Sequence, residues 1–113
     1  MKIAILGTGV VGSTIGTKLI SLNYQVMMGS RNKENPKALE WKENNGPNAS
    51  VGTFFEAAAF GEIICNCTAG VISLEALQLA GRENLSGKIL IDISNPHSRI
   101  FDCFKRFQIF NYV

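Results

Sequence analysis

The most informative residues of this chain are three glycines within six positions, Gly7-Thr8-Gly9-Val10-Val11-Gly12. The pattern G-x-G-x-x-G handles phosphate through the backbone. Its first glycine permits a tight turn, the second lets a pyrophosphate approach the main chain, and the third lets a helix pack close to a strand. The helix N-terminus that follows offers unpaired N–H groups and a positive dipole end to the phosphates. Alone the motif is common. Here it follows the apolar run Ile3–Leu6 and opens a segment with helical apolar spacing, which is the strand–turn–helix context the motif requires.

A second set of residues falls where the next strand would end. A site for NAD usually carries an Asp or Glu there, about 20 residues past the glycines, to accept the ribose 2′-hydroxyl. This chain has Gly29-Ser30-Arg31-Asn32-Lys33 and no carboxylate before Glu34. A carboxylate would repel a 2′-phosphate, whereas Ser30 and Arg31 could bond one and Lys33 would add charge. The expected cofactor is therefore NADP(H). A charge-assisted bond of about 1.5–3 kcal/mol would let Arg31 alone give a preference of roughly 10- to 150-fold.

The elements that must position these groups follow from periodicity. Ile3–Leu6 reads as a buried strand, and Val11, Ile15, Leu19 and Leu22 as the apolar stripe of a helix that Asn23 ends. Gly12 and Gly16 lie one turn apart on that helix and call for close packing against the sheet. Tyr24–Met28 reads as the second strand, and residues 31–49 as a polar loop with a short helix around Lys37–Glu43. Ser50–Thr53, Glu62–Cys67 and Lys88–Ile93 complete the strands. Phe54–Phe60 and a stripe of Val71, Leu74, Leu77 and Ala80 form the intervening helices, ended by Gly61 and Gly81. This alternation predicts an α/β fold: a Rossmann-type doubly wound parallel sheet, strand order 3-2-1-4-5, helices on both faces. In that topology Thr68-Ala69-Gly70, past the fourth strand, border the cofactor, and Ser94-Asn95-Pro96, past the fifth, lie toward its nicotinamide end. Thr68 and Asn95 read equally well as ordinary cap and turn residues.

Composition bounds the rest. The 113 residues, 46% hydrophobic and 18% charged, suit one domain with one core and argue against disorder. The net charge of +2 resides wholly in residues 99–113, where Arg99, Lys105 and Arg106 face Asp102. So weak a balance gives no reason to expect a nucleic-acid partner. Three cysteines, Cys65, Cys67 and Cys103, are too few and odd in number for a disulfide scaffold, and with His97 as the single histidine no metal site is expected. Glycines interrupt the apolar start before it could serve as a signal peptide, and no run approaches the roughly 20 apolar residues of a membrane span. The expected location is cytoplasmic, without a membrane partner. Phe101, Phe104, Phe107 and Phe110 recur every third residue. This tail either covers a bare face of the sheet or pairs with a second copy in a homodimer.

Taken together, Met1–Gly9, Gly29-Ser30-Arg31, Asn66-Cys67-Thr68, Ser73–Leu77 and Leu85–Pro96 resemble the N-terminal half of the coenzyme F420-dependent NADP reductase family. The resemblance covers roughly residues 1–97, an NADP-binding Rossmann domain, and leaves 98–113 as a divergent or truncated tail. It implies that Thr8, Gly9, Val10 and Val11 hold the pyrophosphate and that Ser30 and Arg31 hold the 2′-phosphate. It also implies hydride transfer between NADP(H) and a stacked deazaflavin, coenzyme F420, without a dedicated acid or base. No Ser-His-Asp, Cys-His or paired-carboxylate set stands out, in keeping with that chemistry. Members of the family continue into a C-terminal part that completes the substrate pocket and the dimer, and Arg99–Val113 does not match it. Two other functions fit the residues: an NADP-binding module or remnant without chemistry, and a reductase of a small imine or 2-hydroxy acid. The last would need a proton donor, a role for which neither His97 nor Lys88 has a defined position.

Overall fold

The computed structural model describes residues 1–93. Five parallel strands form one sheet in the order β3-β2-β1-β4-β5: β1 Lys2–Leu6, β2 Gln25–Ser30, β3 Ala49–Thr53, β4 Ile63–Asn66 and β5 Ile89–Asp92. The register is continuous, Ile3 standing beside Val26 on one side and Ile63 on the other, with Val26 beside Ala49 and Ile63 beside Ile89. The helices are α1 Val10–Ser21, α2 Pro36–Asn45, α3 Phe54–Phe60, α4 Gly70–Ala80 and the single turn α5 Arg82–Leu85. The Rossmann-type architecture and strand order are those expected, and β1 contains the whole of the expected Ile3–Leu6 run, because a strand buried on both faces is a plain apolar run.

Alternate residues of each strand point to opposite faces, so the sheet has two cores. Ala4, Leu6, Ile64 and Leu90 pack with Phe54, Ala57 and Ala58 of α3, Ala76, Leu77 and Ala80 of α4, and Leu85 of α5. Ile3, Ile5, Val26, Met28 and Cys65 pack on the other side with Ala38 and Trp41 of α2, while Ile15 and Leu19 of α1 lie against them. Local signals set the helix ends. Thr53 and Glu56 form a capping box at the start of α3, and Asn35 caps α2 by accepting from the N–H groups of Lys37 and Ala38, with Pro36 as its first residue.

Several boundaries differ from the sequence expectation. Helix α2 runs from Pro36 to Asn45 rather than Lys37–Glu43, and it buries Trp41 within a segment read as mostly loop. Strand β2 reaches Ser30 rather than Met28, because Gly29 and Ser30 still pair with Gly52 and Thr53. Strands β4 and β5 are shorter by one residue at each end than expected. The α1 stripe holds only in its middle: Ile15 and Leu19 lie against the core, Val11 and Leu22 at its ends are exposed, and the fully buried residues are Gly12 and Gly16. On α4 Val71 is 75% exposed, and Ser73 and Ala76 take the inner positions. Gly12 and Gly16 thus pack as closely as their spacing called for, while on α4 the small residues Ser73 and Ala76, which a search for large apolar residues passes over, join Leu77 and Ala80 on the inner line. The phenylalanine-rich tail lies outside the described residues.

Candidate functional site

The C-terminal ends of the parallel strands open into a cleft of about 670 Å³. Doubly wound sheets bind ligands at this position, where the chain crosses from one side of the first strand to the other. One bank is the glycine loop. Gly7 has φ +120°, and a Cβ there would stand 3.0 Å from the Cys67 carbonyl oxygen, so any side chain is strained twice over. Its N–H donates to Gly29 O at 2.9 Å and ties the turn to β2. Gly12 is held for a different reason: its Cβ would lie 2.9 Å from Gly7 O and 3.2 Å from Ile5 Cγ2, so only glycine lets α1 start this close to β1.

Gly9 is the opposite case. It precedes the first turn of α1 with extended backbone, and apart from its chain neighbours nothing lies within 4 Å of where its Cβ would be. The space over Gly9 is part of the cleft, with Thr8, Val10 and Val11 around it. No side chain caps α1 and its first turn holds no acid. Its leading N–H groups therefore have no intrahelical acceptor, and the dipole end faces open space. A backbone cradle that a Cβ would fill, beside an uncapped helix start, fits a pyrophosphate.

The other bank is made of side chains. Ser30 closes β2, only 5% exposed, and its hydroxyl donates to Asn32 O at 2.6 Å. Arg31 lines the cleft and is the one charged side chain among its described lining residues. Lys33 lies on the exposed turn beyond and does not line the cleft. Asn35, Phe54, Cys67, Ile72 and Ile93 line it without the sequence having given any of them a place in the site. Asn35 was legible as an Asn-Pro helix start. The others carry no local signal, because a long-range fold brings them together.

Thr68, Ala69 and Gly70 border the cleft where expected. The Thr68 hydroxyl is turned inward: it donates to Asn66 Oδ1 at 2.6 Å and lies 3.0 Å from Ser73 Oγ. The Asn66 amide donates to Ser73 Oγ at 2.6 Å, closing a buried triangle that fixes the β4–α4 corner. The corner thus offers a ligand small side chains and backbone, with its hydroxyls spent on each other. Asn95 and Pro96 lie outside the described residues.

Two thiols sit below the loop. Burial pushes Cys65 up to about 11, and burial, with the charges of Cys65 and Asp92 adding to it, pushes Cys67 up to about 12. Both are neutral thiols at physiological pH and poor nucleophiles. Among the described residues no group of three His, Cys, Asp or Glu side chains could hold a metal, and no helix is long and apolar enough to cross a membrane.

Comparison with known proteins agrees with this geometry. A family model described as NADP oxidoreductase, coenzyme F420-dependent, matches residues 2–96. A candidate F420-dependent NADP reductase from Arthrobacter sp. FB24 shares 41% identity, covering 85% of this chain and 46% of its own, with a TM-score of 0.77. An imine reductase of Streptomyces aurantiacus superposes with a TM-score of 0.76 at 16% identity, over 96% of this chain and 37% of its own, and shows the common fold. Metalloreductase STEAP3 of Rattus norvegicus is 32% identical over 96 residues, 84% of this chain and 18% of the relative. The chain spans less than half the length of each of these relatives. The match over residues 2–96 places this chain in the coenzyme F420-dependent NADP oxidoreductase family.

Proposed function

We propose that the domain binds NADP(H), with the pyrophosphate over Thr8–Val11 and the 2′-phosphate on Arg31 and the Ser30 corner. The nicotinamide then points toward the Thr68–Gly70 corner and the end of β5. The observation that carries this reading is the empty volume over Gly9, bounded by the uncapped start of α1 on one side and by Arg31 on the other. Gly7 and Gly12 support it by fixing the loop, and Gly12 acts wholly through packing. Ala69 lends a small side chain to the corner, Thr68 holds the corner's shape, and Lys33 adds positive charge from outside the cleft.

For the reaction, we infer hydride transfer to a deazaflavin such as coenzyme F420, in keeping with the family. Bound there, the nicotinamide would supply a hydride, and an acceptor that completes its reduction with a solvent proton needs no acid or base from the cleft. The cleft is consistent with that demand, since its described lining offers one guanidinium, a neutral thiol, hydroxyls and amides. Reduction of an imine or a 2-oxo acid calls for a proton donor beside the substrate, and no described cleft residue supplies one. The relatives' greater length leaves the acceptor's half of such a site to sequence beyond this domain, so binding without turnover is the second reading for this chain alone.

The test is titration of the 113-residue chain with NADPH and with NADH. Trp41 is a suitable reporter, buried against Gly16 of α1, with its indole N–H donating to Thr17. Tighter binding of NADPH, by roughly 10- to 150-fold, is expected. Equal affinity for the two would remove the 2′-phosphate assignment, and no binding by folded protein would remove the nucleotide reading altogether. Adding oxidised deazaflavin to the NADPH complex then separates the two readings: loss of NADPH absorbance supports transfer, and a stable spectrum supports binding alone.

A further inference from the structure

Arg31 does not stand alone at the cleft. From the end of β2 it reaches the second turn of α4, where its Nε donates to Glu75 Oε1 at 2.9 Å and its Nη2 donates to the same oxygen. Both side chains are about half exposed, 57% for Arg31 and 49% for Glu75. Arg31 lines the cleft and Glu75 does not, so the carboxylate approaches the guanidinium from outside the ligand's space. A guanidinium has five N–H groups in one plane. Two are spent on Glu75, and the three that remain, on Nη1 and Nη2, are the ones a phosphate could use.

We propose that Glu75 is a specificity-determining residue that holds down the site's preference for 2′-phosphorylated dinucleotides. The inference rests on the assignment of Arg31 to the 2′-phosphate. A phosphate on the free edge of the guanidinium comes within one guanidinium's width of the carboxylate. At that range, inside a Debye length, a dianion and a carboxylate repel. A phosphate that instead takes the Nε edge must displace Glu75. Either way the pair lowers the affinity for a 2′-phosphate and leaves a 2′-hydroxyl untouched. An exposed ion pair contributes little to stability, so the carboxylate can be removed without disturbing the fold. A residue that served instead to aim Arg31 would have the opposite sign, because its loss would weaken phosphate binding.

The experiment is calorimetric titration of the full chain and its Glu75→Gln variant with NADP+ and NAD+, each at low and high salt. Glu75→Gln keeps the size and one acceptor oxygen and removes the charge. The expected result is about three- to tenfold tighter NADP+ binding, NAD+ within about twofold, and a gain that shrinks as salt screens the repulsion. Unchanged or weaker NADP+ binding overturns the role given to Glu75, as does an equal gain for NAD+. Arg31→Ala, measured alongside, tells the two failures apart. If it lowers NADP+ affinity selectively while Glu75→Gln does nothing, the inference alone fails. If it leaves the NADP+ preference intact, the 2′-phosphate assignment fails and takes the inference with it.

Discussion

On the α1 side of the cleft, Gly7, Gly9 and Gly12 present backbone, and two of the three are jammed against other backbone or against Ile5. On the β2–α4 side, Ser30 and Arg31 present side chains, and Arg31 is held by another side chain on a half-exposed surface. The first bank is inseparable from the fold: its shape is the contact between β1, α1 and the start of the β4–α4 corner. The second is less so: Ser30 is buried at the end of β2, but the half-exposed Arg31 side chain is free to change without moving the sheet. A pyrophosphate common to every dinucleotide is assigned to the first bank, and the 2′-phosphate that distinguishes one dinucleotide from another is assigned to the second. Mutations on the two banks should therefore fail in different ways.

The largest effect is expected at Gly12. A valine there drives its Cβ into Gly7 O and Ile5, and overpacking of this kind costs about 2–3 kcal/mol. The thermal midpoint should drop by roughly 10–20 °C, and nucleotide binding should fall with it. Gly9→Val separates folding from binding on the same bank. Its side chain meets open space, so the midpoint should move by only a few degrees, while affinity for NADPH and NADH alike should fall by on the order of 100-fold or more, about 2.7 kcal/mol. A Gly9→Val protein that still binds would show that the space over Gly9 is not the pyrophosphate's. Arg31→Ala belongs to the other bank. It should weaken NADPH by roughly 10- to 150-fold, change NADH little, and leave the melting midpoint in place. Equal loss for both nucleotides would erase the contrast between the banks.

The same contrast governs how much could be read from sequence. The glycine bank was legible because its causes are local: an apolar run, a spaced set of glycines and a following helix are all within 20 residues. Even there the ends of the apolar stripe, Val11 and Leu22, are exposed. The inner line of α1 is Gly12 and Gly16, as their spacing suggested, but a Cβ on Gly16 would stand 2.8 Å from the Trp41 ring, so that glycine admits α2 and not the sheet, which no local pattern reveals. Helix α2 was half seen because only Ala38 and Trp41 face the core, too few to make a stripe, although Asn35-Pro36 marks its start. The pairing of Glu75 with Arg31 had no local signal: 44 positions separate them, and the strand order, though legible, does not say which α4 side chain meets the end of β2. The outer faces of Ile89 and Ile91, 42% and 44% exposed, likewise depend on which strands the helices cover. Near β1 and β2 the sheet is clad on both sides by described helices. Near β5 the described helices clad one side.

The smallest predicted effect concerns the thiols that support the backbone bank from below. Cys67 donates its backbone N–H to Leu6 O at 2.9 Å, and its carbonyl is what a Cβ on Gly7 would strike. Burial raises Cys65 to about 11 and Cys67 to about 12, both from an ordinary 9.0. An unfolded chain loses these protons first, so the unfolded state binds fewer protons than the folded state once the pH passes about 9. The contribution to stability is therefore complete below that pH and is lost progressively as the pH rises toward 11 and 12. Urea midpoints should be level from pH 7 to 8.5 and decline from pH 9 to 10.5. Replacing both cysteines by alanine should flatten that decline while lowering the midpoint at neutral pH slightly, since two small packed side chains are lost. An alkaline decline unchanged in the double variant would mean that other groups cause it, and that the thiols beneath the glycine loop are more open to water than their packing indicates.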